Sequence, residues 1–554
     1  MSAVRMLAAG IMGFAAWATA EPVTIRVTAD GKPPPAWAIA ELEMLDGYTR
    51  CYHTLLDKLV DGKVDIPPVP QLTVDGGCDD DWAEGVAMWD FYALNRHDER
   101  VQKAYVRFWN VIFRERRMPG RNPFWCTGGF DAEHYSELFQ LLWGALELEP
   151  ENRKLIADNR RCIDFIMKEV WDPKTRLMRN SYHLRGKLDK KPGEVALNTI
   201  WLTAAFHAWL TTGREKYRTW ALDYGTSWNE LAQDNGGVFP YYVPPGTRVL
   251  NDRWHETPWR GFGYDRYGIV TPMRALHSLP TVLMLMDDGN RKHVQGMLSM
   301  LGVLSRKGRG GLPAAIYNGS DWIRGREGNW GLCRLFENTY GLTFDPKLRE
   351  MYLQYMKAAA GDGQARTEHA FMRYPAFYYF DRGGLDEVTQ HFRNRARRIA
   401  GKTEQYRNGK APQNGDDVRE QYTPYVSGME YIVGSWWGRY DNGRCGGPVP
   451  GSVRYFTGDG EPGLPRDVAA LVRRVEADKV VLWLHNRATE DTAVVVTAGW
   501  YGQHRWMKAR WGGEDLGIGS RRLKIVLGPG ATADVVLEIK RFVNEPTLTP
   551  QGAG

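Results

Sequence analysis

No segment after residue 20 has the roughly 20 consecutive apolar residues that a membrane-spanning helix requires, so the sequence predicts no transmembrane span. The first twenty residues differ from the rest. Arg5 is followed by an apolar run over residues 7–18 and by the small-residue sequence Ala18-Thr19-Ala20, the pattern of a cleaved signal peptide. We therefore expect a secreted or periplasmic protein, cleaved after Ala20.

Cysteine is scarce, with six residues in 554, and none stands in a CxxC or Cys/His pattern. That absence argues against a zinc site, and nothing in the sequence implies an organic cofactor. Cys51 and Cys78 are the pair closest in sequence and the first candidates for a disulfide. The net charge of +6 is too mild, and too evenly spread, to predict nucleic-acid binding.

Aromatic residues are abundant instead. The chain has 22 tryptophans and 26 tyrosines, whose rings combine an apolar face with a polar edge. Such rings suit stacking on sugar faces, although large helical proteins also use tryptophan between helices. The composition favours a carbohydrate partner.

Helical hairpins recur along the first 450 residues. Each has an apolar helix, a short polar break and an amphipathic helix, in the segments 76–113, 130–170, 194–231, 267–304 and 330–360. Apolar helices in an inner ring, with amphipathic helices facing water outside, satisfy this pattern. We predict a mainly α protein built on an (α/α) toroid, either an incomplete or a closed barrel of hairpins.

After residue 450 the pattern changes to short β-branched runs at 478–487, 491–501, 521–527 and 532–541, which predicts a small antiparallel β-sandwich. The expected organisation is a signal peptide (1–20), a toroid (21–450), a β-sandwich (451–545) and a tail (546–554). The polar stretch 402–417 lacks periodicity and is expected to be a surface loop.

The segment 251–268 concentrates one histidine, three arginines, two tyrosines and two tryptophans before an apolar helix. So many polar donors are difficult to satisfy in a core, so the segment is expected to form the wall of a cleft. In a ring of hairpins, it meets the loops around Asn198 and 305–318. The candidate catalytic residues are Asn198, His255, Tyr264, Arg306, Arg309 and Tyr317. The candidate substrate-binding residues are His134, Trp254, Trp259, Arg260, Tyr267, Asn329 and Trp330.

These residue types fit β-elimination on a uronic acid. Donors that neutralise the uronate carboxylate stabilise the enolate-like intermediate, a neutral His or an ionised Tyr takes the C5 proton, and a Tyr hydroxyl protonates the leaving oxygen. Neighbouring arginine charge lowers a tyrosine pKa and so favours its role as base.

The order Asn198, His255, Tyr264, then Arg306 and Arg309 resembles that of toroidal polysaccharide lyases. These are the chondroitin AC and hyaluronate lyases, and the alginate and glucuronan lyases of polysaccharide lyase family 38. The resemblance, over about residues 76–381, implies that Asn198 and an arginine bind the carboxylate and that His255 is the base or a co-neutraliser. Tyr264 matches the tyrosine of the chondroitin-type lyases, whereas Tyr317 better matches that of family 38. The implied partner is an acidic polysaccharide.

Two other classes of protein fit parts of the sequence. A toroidal glycoside hydrolase would use paired carboxylates. The candidates for that role are Asp79, Asp80, Asp81, Asp131, Glu133, Glu327 and Glu337. Aromatic richness alone also fits a non-catalytic sugar-binding protein. The spacing of Asp131, His134 and Glu137 allows a metal site, but a sugar subsite or simple packing is the more usual role of such a histidine.

Overall fold

A computed structural model describes residues 22–59, 85–110, 132–179, 193–252, 254–255, 275–308, 312–314, 316–317, 319–323, 330–361, 384–409, 426–435, 447–448 and 451–549. Within these ranges the chain forms helical hairpins followed by strands, which confirms the predicted mainly α toroid with a β-sandwich. The helices are α1 Ala36–Leu59, α2 Asp90–Asn95, α3 Glu99–Trp109, α4 Ala132–Leu148, α5 Arg153–Phe165, α6 Leu202–Thr212, α7 Glu215–Asp234, α8 Ser278–Met286, α9 Gln295–Lys307, α10 Trp330–Thr343, α11 Pro346–Gly361, α12 Leu385–Asn408 and α13 Met429–Val433.

The inner helices of the ring are α2, α4, α6, α8, α10 and α13. Direct contacts join α2 to α4, α4 to α6, α6 to α8 and α13 to α2. Every residue of α2 and α8 is buried, as an inner position demands, whereas α3 buries only one face. The last hairpin returns to the first, because α12 packs on α1 and α13 packs on α2. Among the described helices, none combines the length and the apolar content needed to cross a bilayer.

Two sheets form the sandwich. Its strands are β1 Val23–Val27, β8 Val453–Thr457, β9 Val468–Val475, β10 Lys479–Asn486, β11 Thr492–Ala498, β12 Arg505–Trp511, β13 Glu514–Ser520, β14 Arg522–Leu527 and β15 Thr532–Lys540. The strand orders are β1-β14-β11-β8 and β13-β12-β15-β10-β9. All neighbours are antiparallel except β1, which runs parallel to β14. The toroid adds three two-residue ladders: β2 Trp171–Asp172 with β3 Leu177–Met178, β4 Glu194–Val195 with β5 Tyr242–Val243, and β6 Ile316–Tyr317 with β7 Trp322–Ile323.

Four details differ from the sequence prediction. Residues 23–27, expected in the toroid, form a sandwich strand because the buried Ile25 completes the core of the first sheet. In the predicted tail, Leu548 is buried and its carbonyl accepts a hydrogen bond from Arg454. Residues 402–408, expected in a loop, are the last turns of α12, because Thr403 and Tyr406 are buried. Cys51 is a buried free thiol, so it forms no disulfide.

The sandwich covers the carboxyl ends of the inner helices. At the end of α2, Arg96 donates to the carbonyl oxygens of Pro465 (3.2 Å) and Val468 (3.4 Å). At the end of α13, the Ser452 hydroxyl donates to Gly434 O (2.7 Å). Because inner helices of a toroid run in the same direction, their amino ends lie at the end of the ring opposite the sandwich.

Glu147, in the last turn of α4, is the centre of this interface. It is fully buried and accepts hydrogen bonds from Trp500 Nε1 (2.9 Å) and Tyr501 OH (2.9 Å) of the sandwich. Its carboxyl also lies 3.2 Å from His207 Nε2, while His207 Nδ1 donates to the carbonyl oxygen of Thr203 (2.9 Å). The Nδ1–H bond orients the imidazole so that Nε2 faces the buried Glu147 carboxyl.

Candidate active site

The ladder of β4 and β5 brings two predicted site segments together. Asn198 lies in the short helical turn directly after β4. The backbone N–H groups of Tyr241 and Tyr242 both donate to the carbonyl oxygen of Trp254, at 2.9 and 3.2 Å. Because Tyr242 belongs to β5, the ladder fixes the backbone before Asn198 next to that of Trp254 and His255. This junction lies toward the end of the ring opposite the sandwich.

Four rings from two loops form an aromatic cluster: Trp254, His255, Tyr317 and Trp322. The Trp254 and Tyr317 rings stack with 5.4 Å between centroids and 7° between planes. His255 meets Tyr317 edge-to-face at 5.2 Å, and Trp322 lies 5.2 Å from Tyr317 on the next strand. All four side chains are partly exposed, although the Nδ1 atom of His255 is buried. The structure therefore brings a titratable His–Tyr pair together with rings able to stack on a sugar.

Gly319 lets the β6–β7 turn lie against the imidazole. Its φ of +99° is a conformation that glycine adopts freely, and an added methyl group would lie 3.0 Å from His255 Nε2. The Tyr317 hydroxyl donates to Gly319 O at 3.2 Å. No described donor or acceptor lies within hydrogen-bonding distance of His255 Nδ1. The ring is thus positioned by packing rather than by a protein hydrogen bond to Nδ1.

A buried carboxyl accompanies Asn198. Glu194 accepts hydrogen bonds from Asn198 Nδ2 (2.8 Å), Val195 N (3.1 Å), Tyr224 OH (3.2 Å) and Met178 N. Burial raises the pKa of Glu194 to about 8, although these hydrogen bonds act in the opposite direction. Asn198 is itself fully buried. Its amide is therefore held by a carboxyl of the protein.

This carboxyl gives a pH prediction. A folded pKa of about 8, against an ordinary 4.5, means that the folded state holds a proton that the unfolded state releases between those pH values. We expect the free energy of unfolding to fall by about 2–5 kcal/mol as pH rises from 4.5 to 8, and Glu194→Gln to remove most of that slope. Urea unfolding at several pH values measures it, with the exposed Glu151→Gln as matched control. Parallel curves for wild type and Glu194→Gln would contradict the assignment.

Other predicted residues are placed differently or not described. Arg306 is exposed in the last turn of α9, its guanidinium beside Gly302 of the same helix, and none of its described contacts reaches the aromatic cluster. His134 and Trp330 lie in the first turns of α4 and α10, but their side chains are outside the description. The residues that lie wholly outside it are Trp259, Arg260, Tyr264, Tyr267, Arg309 and Asn329.

The described residues give little support to the alternative carboxylate and metal sites. Glu337 is buried and accepts a hydrogen bond from Tyr352 OH at 2.7 Å, as a packing contact does. The side chains of Glu133 and Glu137 on α4 are not described. The acidic candidates outside the description are Asp79, Asp80, Asp81, Asp131 and Glu327. Within the described ranges, no group of three His, Cys, Asp or Glu side chains is arranged to hold a metal ion.

Sequence reasoning missed Glu194 and Trp322. A hairpin signal does precede Trp322, since Asn318-Gly319 is a favoured turn pair between aromatic residues. Glu194 lies four residues before Asn198, but no local pattern distinguishes a buried glutamate from an exposed one.

Known proteins match only parts of this chain. Residues 184–265, less than a fifth of the chain, match a domain of unknown function, DUF8034. That range contains Glu194, Asn198, Trp254 and His255. No curated protein matches the chain. Among solved structures, a sugar epimerase from a ruminal bacterium is similar over 46% of this chain and 68% of its own, with 12% identity and a TM-score of 0.34.

Proposed function

We propose that this protein is an exported polysaccharide lyase that cleaves a uronate-containing polymer, such as glucuronan or alginate, by β-elimination. The observation that carries the proposal is the packing of His255 against Tyr317, from two separate loops, with Trp254 and Trp322 beside them. Base and acid candidates then lie next to rings that hold a sugar. Elimination needs that pair and no paired carboxylates.

In the proposed reaction, neutral His255 accepts the C5 proton of the uronate. The electron pair of the C5–H bond forms the C4–C5 double bond as the bond from C4 to the glycosidic oxygen breaks. The Tyr317 hydroxyl gives its proton to that leaving oxygen, and Tyr264 is the alternative acid. The Tyr317 hydroxyl makes a weak hydrogen bond to Gly319 O at 3.2 Å, so little free energy is needed to turn it toward a substrate.

Neutralisation of the uronate carboxylate is the role proposed for Asn198 and for Arg306 or Arg309. Arg306 is exposed and accessible to a substrate, whereas Asn198 is buried against Glu194. Because burial raises the pKa of Glu194 to about 8, its carboxyl stays largely neutral below that pH. A uronate approaching this end of the ring then meets no second buried negative charge.

An assay with glucuronan, alginate, hyaluronan and pectin tests the proposal. A lyase produces an unsaturated uronate, seen as a rise in ultraviolet absorbance that accompanies each new reducing end. A hydrolase using paired carboxylates releases reducing ends with no such absorbance. A carbohydrate-binding protein retains the polymer and releases neither, and either of these two results refutes the lyase.

A further inference from the structure

Helix α12, on the outside of the toroid, carries a basic surface. Arg393, Arg397 and Arg398 are all exposed, and successive turns place them over about 8 Å of the helix axis. Gln390 and Asn394 lie on the same face, and the Asn394 side-chain oxygen accepts hydrogen bonds from Gln390 (2.9 Å) and Arg397 (2.6 Å). We name this set, Gln390, Arg393, Asn394, Arg397 and Arg398, the arginine face.

The charges of this face are not neutralised by neighbours. No described carboxylate forms an ion pair with Arg393, Arg397 or Arg398. The nearest acid on the carboxyl side of the helix, Glu404, is paired with Arg407. Three guanidinium groups therefore present a concentrated positive charge to solvent.

The adjacent helix α1 also carries an exposed cation. Exposed Arg50 of α1 extends toward Gly47, the glycine against which Ile399 of α12 packs. Beneath the surface, burial and then the charges of Arg395 and Arg398 lower the pKa of His391 to about 4.

We infer that the arginine face is a binding surface for an acidic polysaccharide, separate from the aromatic cluster. The inference rests on the proposed function only for the kind of polymer. Guanidinium groups bind carboxylates in paired hydrogen bonds, and the amides of Gln390 and Asn394 suit sugar hydroxyls. Helices that lie on membranes insert large apolar side chains, whereas the large apolar residues that the described chain exposes are Ile39, Val249, Met507 and Leu516, none of them on α12. The surface therefore fits a hydrated polyanion better than a lipid layer.

The test is the triple variant Arg393→Gln, Arg397→Gln, Arg398→Gln in the full chain. Binding to immobilised long-chain polymannuronate is expected to weaken about tenfold, with a smaller salt dependence. A matched control, Arg153→Gln, Lys154→Gln, Lys168→Gln, removes three exposed positive charges from the α5 side of the ring. It is expected to bind as wild type does, and uncharged dextran is expected to bind none of the three proteins.

Two readouts separate this inference from the proposed function. Polymer retention needs no turnover, so it can be lost in the triple variant even if no substrate is ever cleaved. If elimination occurs, the variant should keep its rate on short oligouronates and show a raised KM on long polymer. Equal weakening in the control variant would overturn the inference, as would unchanged polymer binding or preferential binding of wild type to phosphatidylglycerol vesicles.

Discussion

Replacing His255 with alanine is expected to lower the rate of β-elimination by about 10²- to 10⁴-fold, the usual contribution of a positioned general base. Stability should change little, because His255 is partly exposed and no described group forms a hydrogen bond to its Nδ1. The absorbance assay on the preferred polymer measures the rate, and urea unfolding measures the stability. A large rate loss at constant stability is the signature of a chemical rather than a packing role.

Matched variants sharpen this result. His53→Ala removes a partly exposed histidine of α1 that is bonded to Asp98, away from the aromatic cluster, and should keep full activity. Tyr317→Phe should impair elimination from polymers, whereas Tyr340→Phe, near the carboxyl end of α10, should not. If the His255→Ala enzyme retains wild-type activity, the assigned base is wrong. If only Tyr317→Phe retains it, Tyr264 becomes the acid to test.

Replacing Glu147 with alanine is expected to destabilise the protein by about 3–5 kcal/mol, the usual cost of removing one partner of a buried polar network. The change removes the acceptor of both Trp500 Nε1 and Tyr501 OH and the partner of His207, all inside the interface. Restoring those bonds with water would require space in a packed core. Urea unfolding, followed by tryptophan fluorescence, measures the loss.

The isosteric variant Glu147→Gln should lose less, because its side-chain oxygen still accepts one hydrogen bond. Exposed Glu151→Ala should stay within about 0.5 kcal/mol of wild type. Unchanged stability of Glu147→Ala would show that this carboxyl does not help to hold the toroid and the sandwich together.

The sequence predicted the architecture well because hairpin periodicity is a local signal repeated many times. It also indicated that the segments of His255, Trp254 and Tyr317 come together, and the three rings are in contact in the structure. Their roles in a site stay a prediction. The location of β1 could not be predicted in the same way, because a five-residue strand has almost no periodicity and its partner is distant. Pairing over such a distance depends on the whole fold.

The environment of Asn198 could not be predicted from the sequence either. Its partner, Glu194, is buried because β3, β4 and α7 converge on it, and this convergence cannot be read from the four residues that separate Glu194 and Asn198 in sequence. The same limit applies to the arginine face, since spacing shows a basic helix but not whether carboxylates from other hairpins reach it.

The parallel pairing of β1 with β14 also sets an order of assembly. Val23 and Leu523 are partners 500 positions apart, so β1 is synthesised long before its partner strand β14. Closing so long a loop is slow, and until then the edge of β14 offers free backbone groups to other chains. The pairing of β1 therefore protects an edge of the sandwich that would otherwise be open to aggregation.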